Sequence, residues 1–259
     1  AFHRSVPLDS LQYLQTTEVY KGEWSDELLT GKKVVRNQIL ADDFTANSSK
    51  NWNTEKYNQK MANVSKVLSE LGRQYTNDNP AIIGLVEVEN RQVIEDLIKQ
   101  PALAKSNYGI VHHNSYDARG VDVALIYQKG RFVVTDHYEK EIKVFNDDGY
   151  RSYTRGILVV KGLLDGEKYA FFVNHWPSRS GGEARSYPRR AAAATVLKNE
   201  MDRLRAEDPS IKMLAMGDLN DDPVSPSVRK VLGSVGDPEQ LSDKSPYYNL
   251  MTKMYKAGV

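Results

Sequence analysis

Cysteine is absent from the 259 residues, which excludes disulfides, thiolate metal sites and a cysteine nucleophile. Any metal must therefore be held by oxygen or imidazole. The redox compartment stays open, and a secreted or periplasmic location is compatible with the composition. Long apolar runs are missing as well: no stretch of about twenty apolar residues occurs, so the chain offers no membrane span. A charge excess is also lacking. Thirty-five Lys and Arg against 34 Asp and Glu leave a formal net charge of +1. No global basic field draws in long nucleic acid, and any phosphate affinity has to be local. The opening Ala1-Phe2-His3-Arg4 lacks the charged-then-apolar layout of a signal peptide, and no internal repeat or low-complexity segment appears.

The 40% hydrophobic content supports a substantial core, and residues 1–259 are read as one domain whose first 33 residues are weakly patterned. Beyond that segment the periodicity is informative. Tyr57, Met61, Val64, Leu68 and Leu71 recur at three and four, predicting a helix over 54–71. Ala81 to Val86 is a near-continuous apolar run ending in Glu87-Val88-Glu89-Asn90, as a buried strand would. A helix over about 91–98 follows. Tyr108–His113, Val121–Tyr127 and Phe132–Val134 predict a meander. Asp165-Gly166, between the strands 157–164 and 169–173, predicts a tight hairpin. Arg190–Leu204 has helical spacing, and Ile211–Met216 reads as a buried strand ending in Gly217-Asp218-Leu219-Asn220. These elements predict an α/β fold, a two-sheet and mainly antiparallel β-sandwich flanked by helices, with ligand chemistry along one sheet edge.

Polar residues collect where the apolar runs stop: Glu87 with Glu89 and Asn90, Asn174 with His175, and Asp218 with Asn220, Asp221 and Asp222. A hard divalent cation such as Mg²⁺ takes carboxylate and water oxygens, often with only one or two protein carboxylates, and Glu87 is the first candidate ligand. Asp218 suits orienting or deprotonating a water, while Asn220 and His175 suit donating to phosphoryl oxygens. The segment from Arg179 to Arg190, with Arg185 and the pair Gly181-Gly182, has the look of a phosphate clamp. Taken singly, each group has an ordinary structural role as a turn residue, a helix cap or a solvated cation. Asp117 and Arg119 alone would be an exposed ion pair. The combination is what points to phosphate chemistry.

Four stretches, in order, resemble one family. Leu85-Val86-Glu87-Val88-Glu89-Asn90 is similar to the first-metal-ligand motif of the endonuclease/exonuclease/phosphatase superfamily, with Val86 in place of the usual glutamine. Asn174-His175-Trp176-Pro177-Ser178-Arg179 resembles its catalytic-histidine motif in the bacterial form. Gly217-Asp218-Leu219-Asn220-Asp221 resembles its glycine-aspartate-x-asparagine motif, and Arg119 to Tyr127 resembles the strand before the histidine. The resemblance spans about Trp52 to Pro223. It implies a DNase I-like four-layer sandwich, a Mg²⁺ or Mn²⁺ site at one end, and attack of water on phosphorus. By this carry-over Glu87 binds metal, Asp218 positions or activates the nucleophile, Asn220 and His175 complete the catalytic set by holding the phosphate, and Arg119 is a candidate substrate contact; Asn174, Arg179 and Arg185 are further candidate contacts to a phosphorylated substrate, with nucleic acid among the candidates.

Two family features are not matched. The opening asparagine has one weak candidate, Asn37, and the closing serine-aspartate-histidine has none, because Ser242-Asp243-Lys244 follows Asp218 too soon and no histidine occurs after His175. The expectation is a chain incomplete at both ends. The leading function is a metal-dependent phosphodiesterase or nuclease. A phosphatase on a small phosphorylated compound and a non-catalytic phospholigand-binding member are the alternatives.

Overall fold

The computed structural model describes residues 46, 48–117, 119–145 and 149–258, with the backbone of 16–20 and 33–37. In chain order the elements are β1 (Thr16–Tyr20), β2 (Lys33–Asn37), α1 (Thr54–Glu70), β3 (Ile82–Val88), α2 (Arg91–Ile98), β4 (Tyr108–His112), β5 (Asp122–Gln128), β6 (Phe132–Lys140), β7 (Val144–Phe145), β8 (Arg151–Ser152), β9 (Ile157–Leu164), β10 (Glu167–His175), α3 (Glu183–Glu207), β11 (Lys212–Asp218), β12 (Ser234–Val235) and β13 (Tyr247–Tyr248). Most of the predicted 1–33 segment, and the side chain of Asn37, lie outside the described residues.

Both early helices begin at asparagine caps. Asn53 Oδ1 accepts from Lys56 N at 3.0 Å and Asn90 Oδ1 from Val93 N at 3.1 Å, each satisfying a donor that the first helical turn leaves over. α1 buries Tyr57, Met61 and Leu68, and α2 buries Val93, Ile94 and Leu97, against a sheet ordered β3-β5-β4. Leu71 is exposed, because α1 ends one residue before it.

The second sheet is ordered β11-β10-β9-β6. Asp165 (φ 49°) and Gly166 (φ 87°) give the β9–β10 hairpin the two positive φ angles of a type I′ turn, as their pairing in sequence predicts. After β10 the chain crosses over through α3, so β11 runs parallel to β10 from Tyr169↔Lys212 to His175↔Asp218. Alternation along β10 divides its side chains between two layers. Ala170 and Phe172 pack on Ala193, Ala194 and Leu197 of α3, while Phe171 and Val173 meet Val123 and Leu125 of the facing sheet. The result is helix, sheet, sheet, helix, the architecture the sequence predicts. Each buried Leu, Phe or Val in these layers contributes on the order of 1.5–3 kcal/mol.

Three local expectations are corrected. The predicted meander stops at β5, because β6 crosses to the other sheet and pairs with β9. Its Phe132 ring fills the inter-sheet space edge-on to Tyr127 (5.6 Å) and Phe171 (5.4 Å). β11 is an edge strand among the described residues and leaves Leu214 40% exposed, although its composition reads as buried. β-propensity reports a fit to a pleated surface and does not separate edge from centre. Finally, α3 starts at Glu183 rather than near Arg190, with Pro188 inside its first two turns, so most of the expected phosphate-clamp segment is helix.

Candidate active site

Glu87 is delivered by a bulge. The β3–β5 register shifts between Val86 and Val88, and Glu87 takes φ 58°. A left-handed non-glycine residue costs about 1–2 kcal/mol and persists where its surroundings over-determine it. The bulge breaks the strand's alternation and re-aims the carboxylate, which keeps 36% of its surface.

β10 and β11 end side by side. His175 and Asp218 are register partners, and Trp176 N donates to Asp218 O at 2.9 Å, carrying the pairing one step further. Gly217 faces Asn174 so closely that a Cβ would lie 2.0 Å from Asn174 O, and its φ of 118° suits glycine. Asn220, also left-handed at φ 50°, folds the chain back: its N donates to Asp218 Oδ1 (2.8 Å) and its Nδ2 to Trp176 O (2.9 Å). The glycine-aspartate-x-asparagine turn is thus strapped to the residue after His175.

His175 is 4% exposed, and its Nδ1 is buried with no hydrogen-bond partner among the described residues. Burial, then the Arg155 guanidinium, push its pKa down to about 4, against the upward pull of Asp218 and Glu87. At neutral pH the imidazole is uncharged. Carboxylates from two other strand ends and two arginines all act on this one ring, so the structure brings together Glu87, Asp218, Arg119 and His175.

Arg155 escapes the sequence reading. It sits between β8 and β9, 3% exposed, donating from Nε to His175 O (2.8 Å), from Nη2 to Trp176 O (2.9 Å) and from Nη1 to Asp117 Oδ2 (2.6 Å). Asp117 Oδ1 in turn accepts from Arg119 N (2.9 Å) and Nε (3.3 Å), and Arg119 Nη1 lies 4.0 Å from Glu87 Oε1. Asp117, which with Arg119 alone reads as an exposed contact, is therefore the acidic half of a buried bridge to Arg155, while the Arg119 side chain stays half exposed. No periodicity marks Arg155. The available signal is chemical, since a buried Asp117 requires a cation.

Asn174, expected to touch substrate, is turned into the interior. It is fully buried, its Nδ2 donates to Phe172 O (3.1 Å) and Met216 O (3.3 Å), and its Oδ1 accepts from Trp176 Nε1 (3.0 Å). It ties β10 to β11 inside the core. Arg179 directs Nε to Asn220 O (2.9 Å) and Nη2 to Asp222 Oδ2 (3.0 Å), fastening the turn after β11. Arg190 is fully buried 2.7 Å from Asp221 Oδ1, with Nη1 on Ser186 Oγ at 2.7 Å. Arg185 lies exposed in the first turns of α3. Ser242-Asp243-Lys244 forms an exposed turn closed by a Ser242↔Ser245 bridge.

Among the described residues no group of three or more His, Cys, Asp or Glu converges as a closed metal cage. The donor set suits a hydrated hard cation instead: the partly exposed Glu87 and the exposed Asp218 offer carboxylate oxygens and leave room for water.

A four-layer α/β sandwich with acidic, histidine and asparagine side chains at adjacent strand ends defines the class. The sequence model of the Endonuclease/Exonuclease/phosphatase family matches residues 33–259, and the chain belongs to that family. Solved structures similar to it include truncated TDP2 of Caenorhabditis elegans (22% identity, 63% of this chain and 56% of that one, TM-score 0.45). The human Nocturnin catalytic domain with bound sulfate (16%, 66% and 60%, TM-score 0.48) and a Bacteroides thetaiotaomicron mannosyl-6-phosphatase (15%, 68% and 62%, TM-score 0.48) are also similar. The chain thus spans less than two thirds of the length of each of these. No curated protein matches it. No helix among the described residues is long and apolar enough to cross a membrane.

Proposed function

We propose that this chain is a divalent-metal-dependent phosphodiesterase that cleaves a phosphate ester by attack of water on phosphorus. The observation that supports it most is the parallel register that sets His175 beside Asp218, with Glu87 and Arg119 in electrostatic reach of the same imidazole. Asp218, held by the Asn220 N–H, orients the water and accepts its proton. The neutral His175 donates an N–H to a non-bridging phosphoryl oxygen, and Arg119 supplies positive charge where the transition state gathers negative charge. Asn220 keeps one amide hydrogen beyond its bond to Trp176 O for the same oxygen. Glu87, with Asp218 nearby, would hold Mg²⁺ or Mn²⁺, which supplies charge neutralisation on the phosphate. A diester is preferred to a small monoester because Arg179 and Arg190, half of the expected clamp, are engaged by Asp221, Asp222 and backbone carbonyls. Nucleic acid is one diester that fits this reading.

The test is hydrolysis of bis(4-nitrophenyl) phosphate beside 4-nitrophenyl phosphate. Activity on the diester should vanish with EDTA and fall by about 10²–10³ or more in Glu87→Ala and Asp218→Ala with the fold intact. Full activity in both variants refutes the assignment, and preference for the monoester makes the protein a phosphatase.

A further inference from the structure

Away from the candidate active site, the two sheets are joined at one edge by a pair of histidines. His113 follows β4, the edge of the first sheet, and His137 lies in β6, the edge of the second. His113 Nε2 and His137 Nδ1 are 2.9 Å apart, with ring centroids at 5.1 Å and planes inclined by 56°. Beside them opens a cavity of about 440 Å³ between the sheets, lined by Ile110, Val111, Tyr127, Val134, Asp136 and His137. Water can therefore reach the pair. His137 is exposed, so its ring can turn once the contact with His113 gives way.

We propose that His113 and His137 form a two-imidazole site for a borderline divalent cation, Ni²⁺ or Cu²⁺ first and Zn²⁺ next, that staples the edges of the two sheets. Two adjacent ligands at about 2.05 Å and roughly 90° stand about 2.9 Å apart, the separation observed here. Tetrahedral Zn²⁺ needs about 3.3 Å, which a small opening provides. A modest rotation of His137 turns its lone pair from His113 to a shared point. Water entering from the cavity then completes the coordination. Imidazole favours these ions over Mg²⁺, so the site is chemically separate from the oxygen donors around Glu87. Burial, then His137 and His112, lower the pKa of His113, which keeps its lone pair available at neutral pH. His112 itself is committed elsewhere, at 2.9 Å from Asp122 Oδ2.

The experiment is calorimetric titration of the untagged full chain with Ni²⁺ in excess Mg²⁺, together with thermal melts and far-UV circular dichroism to verify folding. One Ni²⁺ per chain is expected, with a melting temperature that climbs as Ni²⁺ is raised. Affinity should drop at least tenfold in His137→Gln and in His113→Gln, and stay unchanged in Glu87→Ala. Because the readout is binding, it holds whether or not the chain hydrolyses phosphate. No Ni²⁺ uptake by the parent, affinity in the histidine variants equal to the parent's, or loss of binding in Glu87→Ala would each overturn the assignment.

Discussion

The two ends of β10 treat charge in opposite ways. At the hairpin end, Arg131 pairs with Asp165 (2.5 Å), Lys212 with Glu167 (2.6 Å) and Lys168 with Asp208 (2.8 Å), all on the surface. At the other end, Arg155–Asp117 (2.6 Å) and Arg190–Asp221 (2.7 Å) are buried. Surface pairs are screened by water and hold little. Buried ones have lost their hydration, so each arginine is committed to its aspartate and to nearby carbonyls. Positive φ angles occur at both ends for different reasons: Asp165 and Gly166 close the hairpin turn, whereas Glu87, Gly217 and Asn220 lie at the buried-charge end. The hairpin end is shaped by local turn chemistry. The opposite end is shaped by long-range charge, and this is where the candidate chemistry sits.

If that contrast is right, substitutions at the two ends should differ several-fold in effect. Arg190→Ala leaves the buried Asp221 with only the more distant Arg179 Nε (3.5 Å) and should destabilise by about 3–5 kcal/mol in urea unfolding. A loss below 1 kcal/mol would place that pair with the surface ones. His175 sharpens the comparison through pH. Its folded pKa of about 4 lies below the ordinary 6.5, so the unfolded chain takes up a proton that the folded one refuses. Stability should therefore fall between pH 6.5 and 4 by as much as about 3 kcal/mol from this group and be flat above. Unfolding of the parent and of His175→Gln at pH 7 and 4.5 isolates the effect, since the variant lacks that slope. Glu87→Gly should relieve the left-handed strain, raising stability by about 1 kcal/mol while hydrolysis falls to background. A destabilised variant would mean that the carboxylate supports the fold. The smallest effect belongs to Arg131→Ala at the hairpin, expected to change unfolding free energy by less than about 1 kcal/mol.

Much of the molecule was legible in its residues. The apolar rhythm of Tyr57, Met61 and Leu68 and the boundaries of α2 report helix faces, because burial of one stripe is a local, periodic property. Asp165-Gly166 reports its own turn, because few residues adopt two positive φ angles in succession. The strand-end set of Glu87, His175 and Asp218 was visible because polar residues interrupt otherwise apolar runs. Asn174 misled for the same reason: an amide beside His175 looks available, whereas the neighbouring strand consumes it at Phe172 O and Met216 O. Arg179 was readable as a cation, but its acceptor, the turn at Asn220 to Asp222, lies about forty residues further on and meets it only through the β10–β11 crossover.

Residue order by itself determined where helices and strands form, the tight hairpin, and which side chains could carry phosphate chemistry. These depend on spacing and on intrinsic backbone preference. Tertiary structure decided that β6 leaves its neighbours for the other sheet, that Glu87 is turned outward by a bulge, and that Arg155 holds the carbonyls of His175 and Trp176 while anchoring Asp117. Those outcomes rest on contacts between segments far apart in the chain. The free energy of a buried charge or a left-handed residue depends on what surrounds it, and only the packed sheets supply that surrounding.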